Sequence, residues 1–369
     1  MPNSTAEKGR RRLIVLSIDP QEPTRLARVH DLKLAGPALD LALSADGAVV
    51  YVAAGGAGLV AVDLLPEPAA RPAVALAGFA SGVAIDGERV YVAACSNLSI
   101  VDAPTGQLLG SVDLQSAEGQ APRPVKDVIA QGNYAFAAAG RWGALVVDVS
   151  DPRQPRALGN RTVSDDLLYY ANGLALSHGN LYIAAGDWGV DRMKVEDFAT
   201  LDGLAMTPPQ AFARYCTPSE DPARQPAPEF QTTLPPPRVQ DPLDVVPVGD
   251  TLLAMGDASR LGVRAVDVYR LAEDGAHGLA GRYEEPALVS SIAAGPAGVA
   301  LAGKLSGLFS PVEGGPLLAR ASALPESEAP ARVVALADDG RLVALDTQGQ
   351  LTVDGQLQPA RTRWCPRSR

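Results

Sequence analysis

Short apolar segments recur along the chain, each bounded by glycine, proline or aspartate. The clearest is residues 50–55, VYVAAG, and near copies begin at Val90, Ala135 and Leu181. Weaker copies lie at residues 252–256, 299–303 and 342–346. Apolar runs of this length between turn-forming residues predict β-strands, and no segment shows the 3.6-residue periodicity of an amphipathic helix. The pattern therefore predicts an all-β chain.

The spacing of these copies predicts a β-propeller. Counted from Tyr51 and its equivalents, successive copies are 40, 45, 46, 70, 47 and 43 residues apart. A period in the low forties, with several short strands in each unit, is typical of propeller blades. In each unit one strand precedes a tight turn, the Tyr-Val-Ala-Ala strand follows, and two further strands complete the unit. Seven copies therefore predict a seven-bladed β-propeller of four-stranded blades.

The two ends of the chain are expected to complete one blade together. Residues 13–29 supply its third and fourth strands, and residues 332–337 and 342–345 supply the first two. A ring closed in this way by N- and C-terminal strands leaves no exposed sheet edge between the ends. The surplus apolar residues 351–353 either add a strand to this closing blade or lie over it.

Two segments resemble the consensus of the LVIVD-repeat family of bacterial and archaeal β-propellers. They are residues 143–155, GALVVDVSDPRQP, and residues 13–23, LIVLSIDPQEP. The resemblance extends over most of the chain and is strongest in residues 13–195. It implies a propeller, often at the cell surface and mostly without an assigned function, so it predicts the fold and says little about activity.

Charge divides the chain into three parts. Residues 1–12 form a basic tail of net charge +3, and residues 361–369 form a basic tail of +4. Removing both from the total of −10 leaves −17 for residues 13–360, which we expect to be a single propeller domain. An acidic body of this kind repels a phosphate backbone, so we expect no nucleic acid to bind the core.

The longest departure from the repeat is a proline-rich insertion at about residues 207–242, which contains ten prolines. Such a composition favours extended backbone without a core of its own, and long loops in compact repeats often carry function. This insertion is a candidate contact for a partner. In the alternative interpretation the insertion is a long loop that binds nothing.

No apolar run reaches the roughly 20 residues needed to cross a bilayer, so no membrane span is expected. The first residues lack the features of an export signal. The chain as written is expected to be cytoplasmic, or extracellular or at the cell surface if a leader was removed. No cofactor and no metal ligand set is predicted, because the three histidines are isolated and no Cys-x-x-Cys pair is present.

Candidate binding residues gather where the turns between second and third strands, and the connections between blades, share one face of a propeller. Two of the three tryptophans occupy equivalent turns, and exposed aromatic residues beside charged ones are typical of binding anchors. In the alternative interpretation each tryptophan caps its own blade. The candidate residues are Arg141, Trp142, Asp165, Asp166, Tyr169, Tyr170, Asp187, Trp188, Asp257, Arg260 and Lys304.

Three functions are consistent with these features. The first is a non-catalytic scaffold that binds a protein partner through the face carrying the Trp142 and Trp188 turns and the proline-rich insertion. The second is a hydrolase or lyase with a site in the central channel. In it Asp165, Asp166 or Asp187 act as acid and base, and Arg141 or Lys304 holds an anion. The third is a cell-surface module that binds carbohydrate or mediates adhesion. The absence of sequence motifs for catalysis favours the first function, although a propeller fold alone excludes none of them.

Overall fold

The computed structural model of this protein describes most of the propeller core. The described residues are 12–18, 26–114, 125–161, 169–186, 189–195, 240–257, 264–271, 277–285, 289–295, 298–303, 307–311, 318–323, 331–336, 342–346, 352–353 and 356–357. They form β-strands joined by short turns, as the apolar pattern predicts.

The strands are numbered in chain order. The first fourteen are β1 (Arg12–Ile18), β2 (Leu26–Lys33), β3 (Asp40–Leu43), β4 (Val49–Ala53), β5 (Leu59–Asp63), β6 (Ala69–Ala70), β7 (Ala80–Asp86), β8 (Arg89–Ala94), β9 (Asn97–Asp102), β10 (Leu108–Asp113), β11 (Asp127–Gln131), β12 (Tyr134–Ala138), β13 (Ala144–Asp148) and β14 (Arg156–Arg161). The remainder are β15 (Tyr169–Ser177), β16 (Asn180–Gly186), β17 (Val190–Lys194), β18 (Gln240–Val248), β19 (Thr251–Asp257), β20 (Arg264–Leu271), β21 (His277–Glu285), β22 (Val289–Gly295), β23 (Gly298–Gly303), β24 (Gly307–Pro311), β25 (Leu318–Ala323), β26 (Ala331–Leu336), β27 (Leu342–Asp346), β28 (Thr352–Val353) and β29 (Gln356–Leu357).

Antiparallel pairing of consecutive strands produces small separate sheets. Four-stranded sheets are formed by β3–β6, β7–β10, β11–β14, β18–β21 and β22–β25, and a three-stranded sheet by β15–β17. The inner strands are β3, β7, β11, β15, β18, β22 and β26, and each contacts the next around the central axis, with β26 contacting β3. The fold is a closed β-propeller.

The two ends of the chain complete one four-stranded sheet, in the order β2-β1-β27-β26. Strand β1 pairs antiparallel with β27, and Leu13 lies opposite Leu345. The predicted sharing of one blade between N- and C-terminal strands is therefore confirmed.

The prediction of seven four-stranded blades is wrong as a description of this ring. Among the described residues the β15–β17 sheet has three strands, and β28 and β29 pair only with each other as a two-stranded hairpin. The error arose because the four-strand pattern of the early units was extended to the whole chain. A fourth strand for the β15–β17 sheet would fall after Val195, outside the described residues. The hairpin also shows that residues 352–353 add no strand to the closing blade.

The second strand of each early sheet forms the centre of the core. In β4, β8, β12 and β16 nearly every residue is buried, since these strands have a neighbour on both sides and sheets packed on both faces. Small alanines fit where adjacent sheets crowd together near the axis. Clusters of buried residues therefore span neighbouring sheets, and one joins Phe136 of β12 to Leu181 of β16.

Candidate functional site

A repeated four-residue turn builds the face on which the candidate residues were predicted. In three sheets this turn begins and ends with glycine, and all these glycines have φ between +59° and +83°. Residues with a Cβ atom rarely adopt this conformation, which explains why the sequence repeats Gly-x-x-Gly. The pairs are Gly55 and Gly58, Gly140 and Gly143, and Gly186 and Gly189.

The first glycine of the turn also joins its sheet to the next one. The Gly140 amide donates to the Ala171 carbonyl at 3.1 Å, and the Ala171 amide donates back at 2.9 Å. A Cβ atom on Gly140 would lie 2.8 Å from Cζ of Tyr170, so the tyrosine ring packs directly on the glycine. The same arrangement recurs at Gly55, against the ring of Phe79. Tyr170, a predicted binding residue, is thus part of the seam between two sheets.

In the turn between Gly140 and Gly143, Trp142 is buried and Arg141 is exposed. Only 6% of the Trp142 surface is accessible, and its side chain belongs to a hydrophobic cluster that includes Leu114 and Leu145. The Trp142 carbonyl accepts a hydrogen bond from Asn160 Nδ2 at 3.0 Å. This tryptophan caps the core, as the alternative interpretation has it, and leaves the adjacent arginine facing solvent.

Most other predicted candidates are not placed by the structure. For Tyr169 and Asp257 only the strand position is described, at the start of β15 and the end of β19. The catalytic interpretation and the paired-tryptophan interpretation thus both stay predictions. The candidates that lie outside the described residues are Asp165, Asp166, Asp187, Trp188, Arg260 and Lys304.

A lysine spans the seam beside Tyr170. Lys126 Nζ donates a hydrogen bond to Oδ1 of Asn172 and lies 4.4 Å from the centre of the Tyr170 ring. An ammonium group over an aromatic face is stabilised by the quadrupole of the ring. Together these contacts tie the start of β11 to β15.

The inner strands surround a central channel with a volume of about 630 Å³. One end is lined by polar side chains and the other by apolar ones. The polar end lies on the face of the 140–143 turn, because Asp127 pairs with Ala138, the last residue of β12 before that turn. We call it the channel mouth, and its polar lining is Asp40, Ser81, Lys126, Asp127, Asn172, Asp244 and Ser291.

Three aspartates of the channel mouth link alternate inner strands to their neighbours. Each carboxylate accepts the amide of the next residue in its own strand and one amide from the following inner strand. Backbone donors of this kind hold a carboxylate in one orientation. The donors are Leu41 (2.9 Å) and Val83 (2.8 Å) to Asp40, Val128 (2.8 Å) and Leu174 (2.8 Å) to Asp127, and Val245 (2.9 Å) and Ile292 to Asp244.

The channel raises the pKa of all three carboxyl groups. Loss of bulk water raises the pKa of Asp40 to about 6, although its two amide donors oppose the shift. Burial and the charge of Asp40 raise the pKa of Asp244 to about 7. For Asp127, burial followed by the charges of Asp40 and Asp244 places the pKa well above its ordinary value. Each aspartate keeps partial exposure to the channel, so the surrounding walls, rather than complete enclosure, remove the bulk water.

Small residues alternate with these aspartates around the channel mouth. The residues directly before Val83, Leu174 and Ile292 are Gly82, Gly173 and Ser291. A Cβ atom on Gly82 would lie 3.2 Å from Cα of Asp127, and one on Gly173 would lie 2.9 Å from Cα of Asp244. Adjacent inner strands therefore approach closely enough for each carboxylate to reach across the seam.

The three aspartates were missed by the sequence analysis, although a signal was present. Each stands directly before an apolar run, in DLAL at residues 40–43, DVIA at 127–130 and DVV at 244–246. A single aspartate in this position does not stand out from the many aspartates of the turns. Aligning the first strands of all units would have shown that the aspartate recurs in alternate units.

Two segments of the chain, residues 77–103 and 122–162, match the family model described as LVIVD repeat. These two segments are similar to LVIVD repeats. The predicted resemblance is therefore confirmed, and the second matched segment contains both the Asp127 strand and the 140–143 turn. No curated protein matches the sequence.

Solved structures with the same fold are distant in sequence. The RRP9 WD40 repeats share 14% identity, cover 95% of this chain and 98% of their own, and have a TM-score of 0.62. The propeller domain of Cps50 (Swd1) from Myceliophteria thermophila has 11% identity, coverage of 85% and 97%, and a TM-score of 0.57. A chain in the structure of the Mitotic Checkpoint Complex has 14% identity, coverage of 83% and 86%, and a TM-score of 0.58. These similarities confirm a propeller and carry no information about the ligand of the LVIVD repeats.

No helix in the described part of the chain has the length and apolar character to span a membrane. The histidine, cysteine, aspartate and glutamate side chains of this part form no group of three or more with a geometry suited to a metal ion. The channel-mouth aspartates are thus spread around the ring instead of converging on one point.

Proposed function

We propose that this protein is a non-catalytic propeller scaffold that binds a protein partner through the face carrying the Trp142 and Trp188 turns and the proline-rich insertion. The parts of that face that the structure describes are the 140–143 turn, Tyr170 and the channel mouth. The fold supports this role, since propellers present a rigid face built from many short turns.

The observation that carries the proposal is the way Arg141 is presented. Its turn is fixed by the positive-φ glycines on both sides, by burial of Trp142 and by hydrogen bonds to the next sheet through Gly140. A long cationic side chain on a rigid base loses little backbone entropy on binding. Arginine is also enriched among the residues that contribute most to protein interfaces.

Fold similarity adds a second, weaker support. One similar propeller chain is found in the crystal structure of the Mitotic Checkpoint Complex, and thus in an assembly of several proteins. At 14% identity this likeness concerns the fold alone. It supports the proposal only through the shared propeller fold.

The proposal is tested by cross-linking and pull-down from the native cell with wild type and an Arg141→Glu variant. Loss of a stoichiometric partner from this variant is the expected result, because the charge of the exposed contact is reversed. Arg153→Glu is the matched control: Arg153 is exposed in the same sheet but lies in the turn between β13 and β14, on the opposite face. Equal loss in both variants, or no partner in wild type, would reject the proposal.

A further inference from the structure

The channel mouth carries more negative than positive charge. Among the residues whose side chains are described, the charged groups that line the channel are three aspartates and one lysine: Asp40 on β3, Asp127 on β11, Asp244 on β18, and Lys126 beside β11. The side chains of β26, which include that of Arg332, lie outside this description. The lysine is held on the seam by Asn172 and the Tyr170 ring. One cation fixed at one seam leaves a net negative charge when all three carboxylates are ionised.

A second observation at the same place is the hydroxyl of Ser291. This side chain is only 9% exposed and lines the channel, directly before the residue whose amide binds Asp244. Within the described residues its Oγ makes no hydrogen bond. Since Ser291 lines the channel, its hydroxyl is available to a ligand there that brings a hydrogen-bonding group.

The dimensions of the channel mouth indicate the class of ligand. The described carboxylates do not converge as a metal site, and the channel volume of about 630 Å³ exceeds what a single ion fills. Acceptors spread around such a cavity suit a ligand whose donors are also spread in space. Guanidinium and alkylammonium groups have several donors, carry positive charge and bring an aliphatic stem.

We infer that the channel mouth binds the guanidinium or ammonium group of a basic side chain from the protein partner, with Asp40, Asp127 and Asp244 as acceptors and the Ser291 hydroxyl as an additional contact. This inference rests on the proposed function, because it assigns the chemistry of the partner on the same face. The apolar far end of the channel, lined by residues such as Leu43, Ile85 and Leu176, is where the site ends.

The backbone amides of Val83 and Leu174 report directly on occupation of this site, since they donate to Asp40 and Asp127. The experiment is a two-dimensional amide NMR titration of the full chain with blocked pentapeptides. These carry arginine, lysine or citrulline between pairs of glycines. We expect saturable shifts of both amides with the arginine and lysine peptides and none with the neutral citrulline peptide. Equal shifts with citrulline, or none with any peptide, would overturn the inference.

Variants then locate the acceptors. Asp244→Asn keeps an oxygen for the backbone amides while removing the charge, and we expect affinity for the arginine peptide to fall by about tenfold or more. Ser291→Ala should weaken binding by about threefold. Asp113→Asn, at an exposed position of β10, is the matched control and should bind as wild type. An unchanged affinity in Asp244→Asn, with the fold verified by circular dichroism, contradicts the assignment.

Further measurements distinguish the possible sources of the cationic group, and they separate the scaffold proposal from the channel-mouth inference. Binding of the arginine peptide should tighten from pH 5 to pH 8 as the channel carboxyl groups ionise, and a flat profile counts against them. Free agmatine that binds more tightly than the peptide would assign the site to a small cation instead of a partner side chain. A native partner that is lost in Arg141→Glu but retained in Asp244→Asn would leave the scaffold function intact and refute the channel-mouth inference alone.

Discussion

Oδ2 of Asp127 accepts the backbone amide of Leu174 at 2.8 Å, across the seam between two sheets. The two residues lie on neighbouring inner strands, β11 and β15, with no covalent turn between them. The bond therefore couples adjacent sheets at the axis of the ring. Equivalent bonds from Asp40 and Asp244 make this the recurring polar link of the propeller.

Removing the Asp127 carboxylate should destabilise the protein more than replacing it with a neutral amide. In Asp127→Ala the Leu174 amide loses its acceptor, which costs about 1–3 kcal/mol for a buried donor. Asp127→Asn retains one acceptor oxygen, which can serve Leu174 or Val128 but not both, and should lose less than the alanine variant. Urea unfolding measures the difference, and hydrogen exchange at the Leu174 amide locates it. Equal loss in both variants would show that the seam does not depend on this bond.

Stability should fall as pH rises from about 4 to about 7. The pKa values of Asp40 (about 6) and Asp244 (about 7) lie above their unfolded values, so in this window the folded state binds more protons than the unfolded state. The contribution is fully present below the unfolded pKa and is lost once the folded pKa is exceeded. We expect the wild-type Tm to be several degrees lower at pH 8 than at pH 5.

Asp244→Asn is the variant that isolates this effect. With one titrating group removed, its Tm should exceed that of wild type at pH 8 and change less between pH 5 and pH 8. Other carboxyl groups act in a different window. Hydrogen bonds from Arg71 and Ser150 lower the pKa of Asp63 and Asp148, so their contribution is lost only below about pH 4. A wild-type pH profile parallel to that of Asp244→Asn would contradict the prediction.

Gly140→Ala should lower stability more than the same change at Gly132. Both glycines have φ close to +60°, so alanine is strained at either position by about 1 kcal/mol. At Gly140 the added methyl would also meet the Tyr170 ring at 2.8 Å, whereas nothing lies within 4 Å at Gly132. Comparing the two urea midpoints separates the conformational cost from the steric one. Equal midpoints would mean that the Tyr170 ring moves away from the added methyl group at no cost in stability.

Trp142→Ala should cost about 3–5 kcal/mol of unfolding free energy, because it removes a large buried side chain from the core. Arg141→Ala, one residue away but exposed, should leave the unfolding midpoint unchanged. Differential scanning calorimetry of both variants makes the comparison. A small effect of Trp142→Ala on Tm would restore this tryptophan as a candidate surface anchor.

The repeat was the feature most readable from the sequence. Tyr51 and its copies identify the second strand of each early sheet, because a buried strand must be apolar along its whole length. Pairing of the two chain ends could also be predicted, since neither end had enough strands for a sheet of its own.

The site was harder to predict because its geometry depends on contacts between sheets. Asp127 follows the ordinary preference for aspartate in turns, and its reach to Leu174 exists only once two sheets are side by side. Trp142 stands between arginine and glycine in a turn, where local sequence suggests exposure. Its burial depends on apolar residues such as Leu114 that lie far from the turn in sequence.

Strands β1 and β27 belong to the same sheet, so the ring can close only after β27 has been synthesised. Leu13 is made before every intervening sheet, and its partner Leu345 is made after all of them. Loop closure over so long a stretch is a late and entropically costly event. Until then β1 and β2 lack the strands that cover their inner edge, so the nascent ring passes through an open form that closes only when β26 and β27 are added.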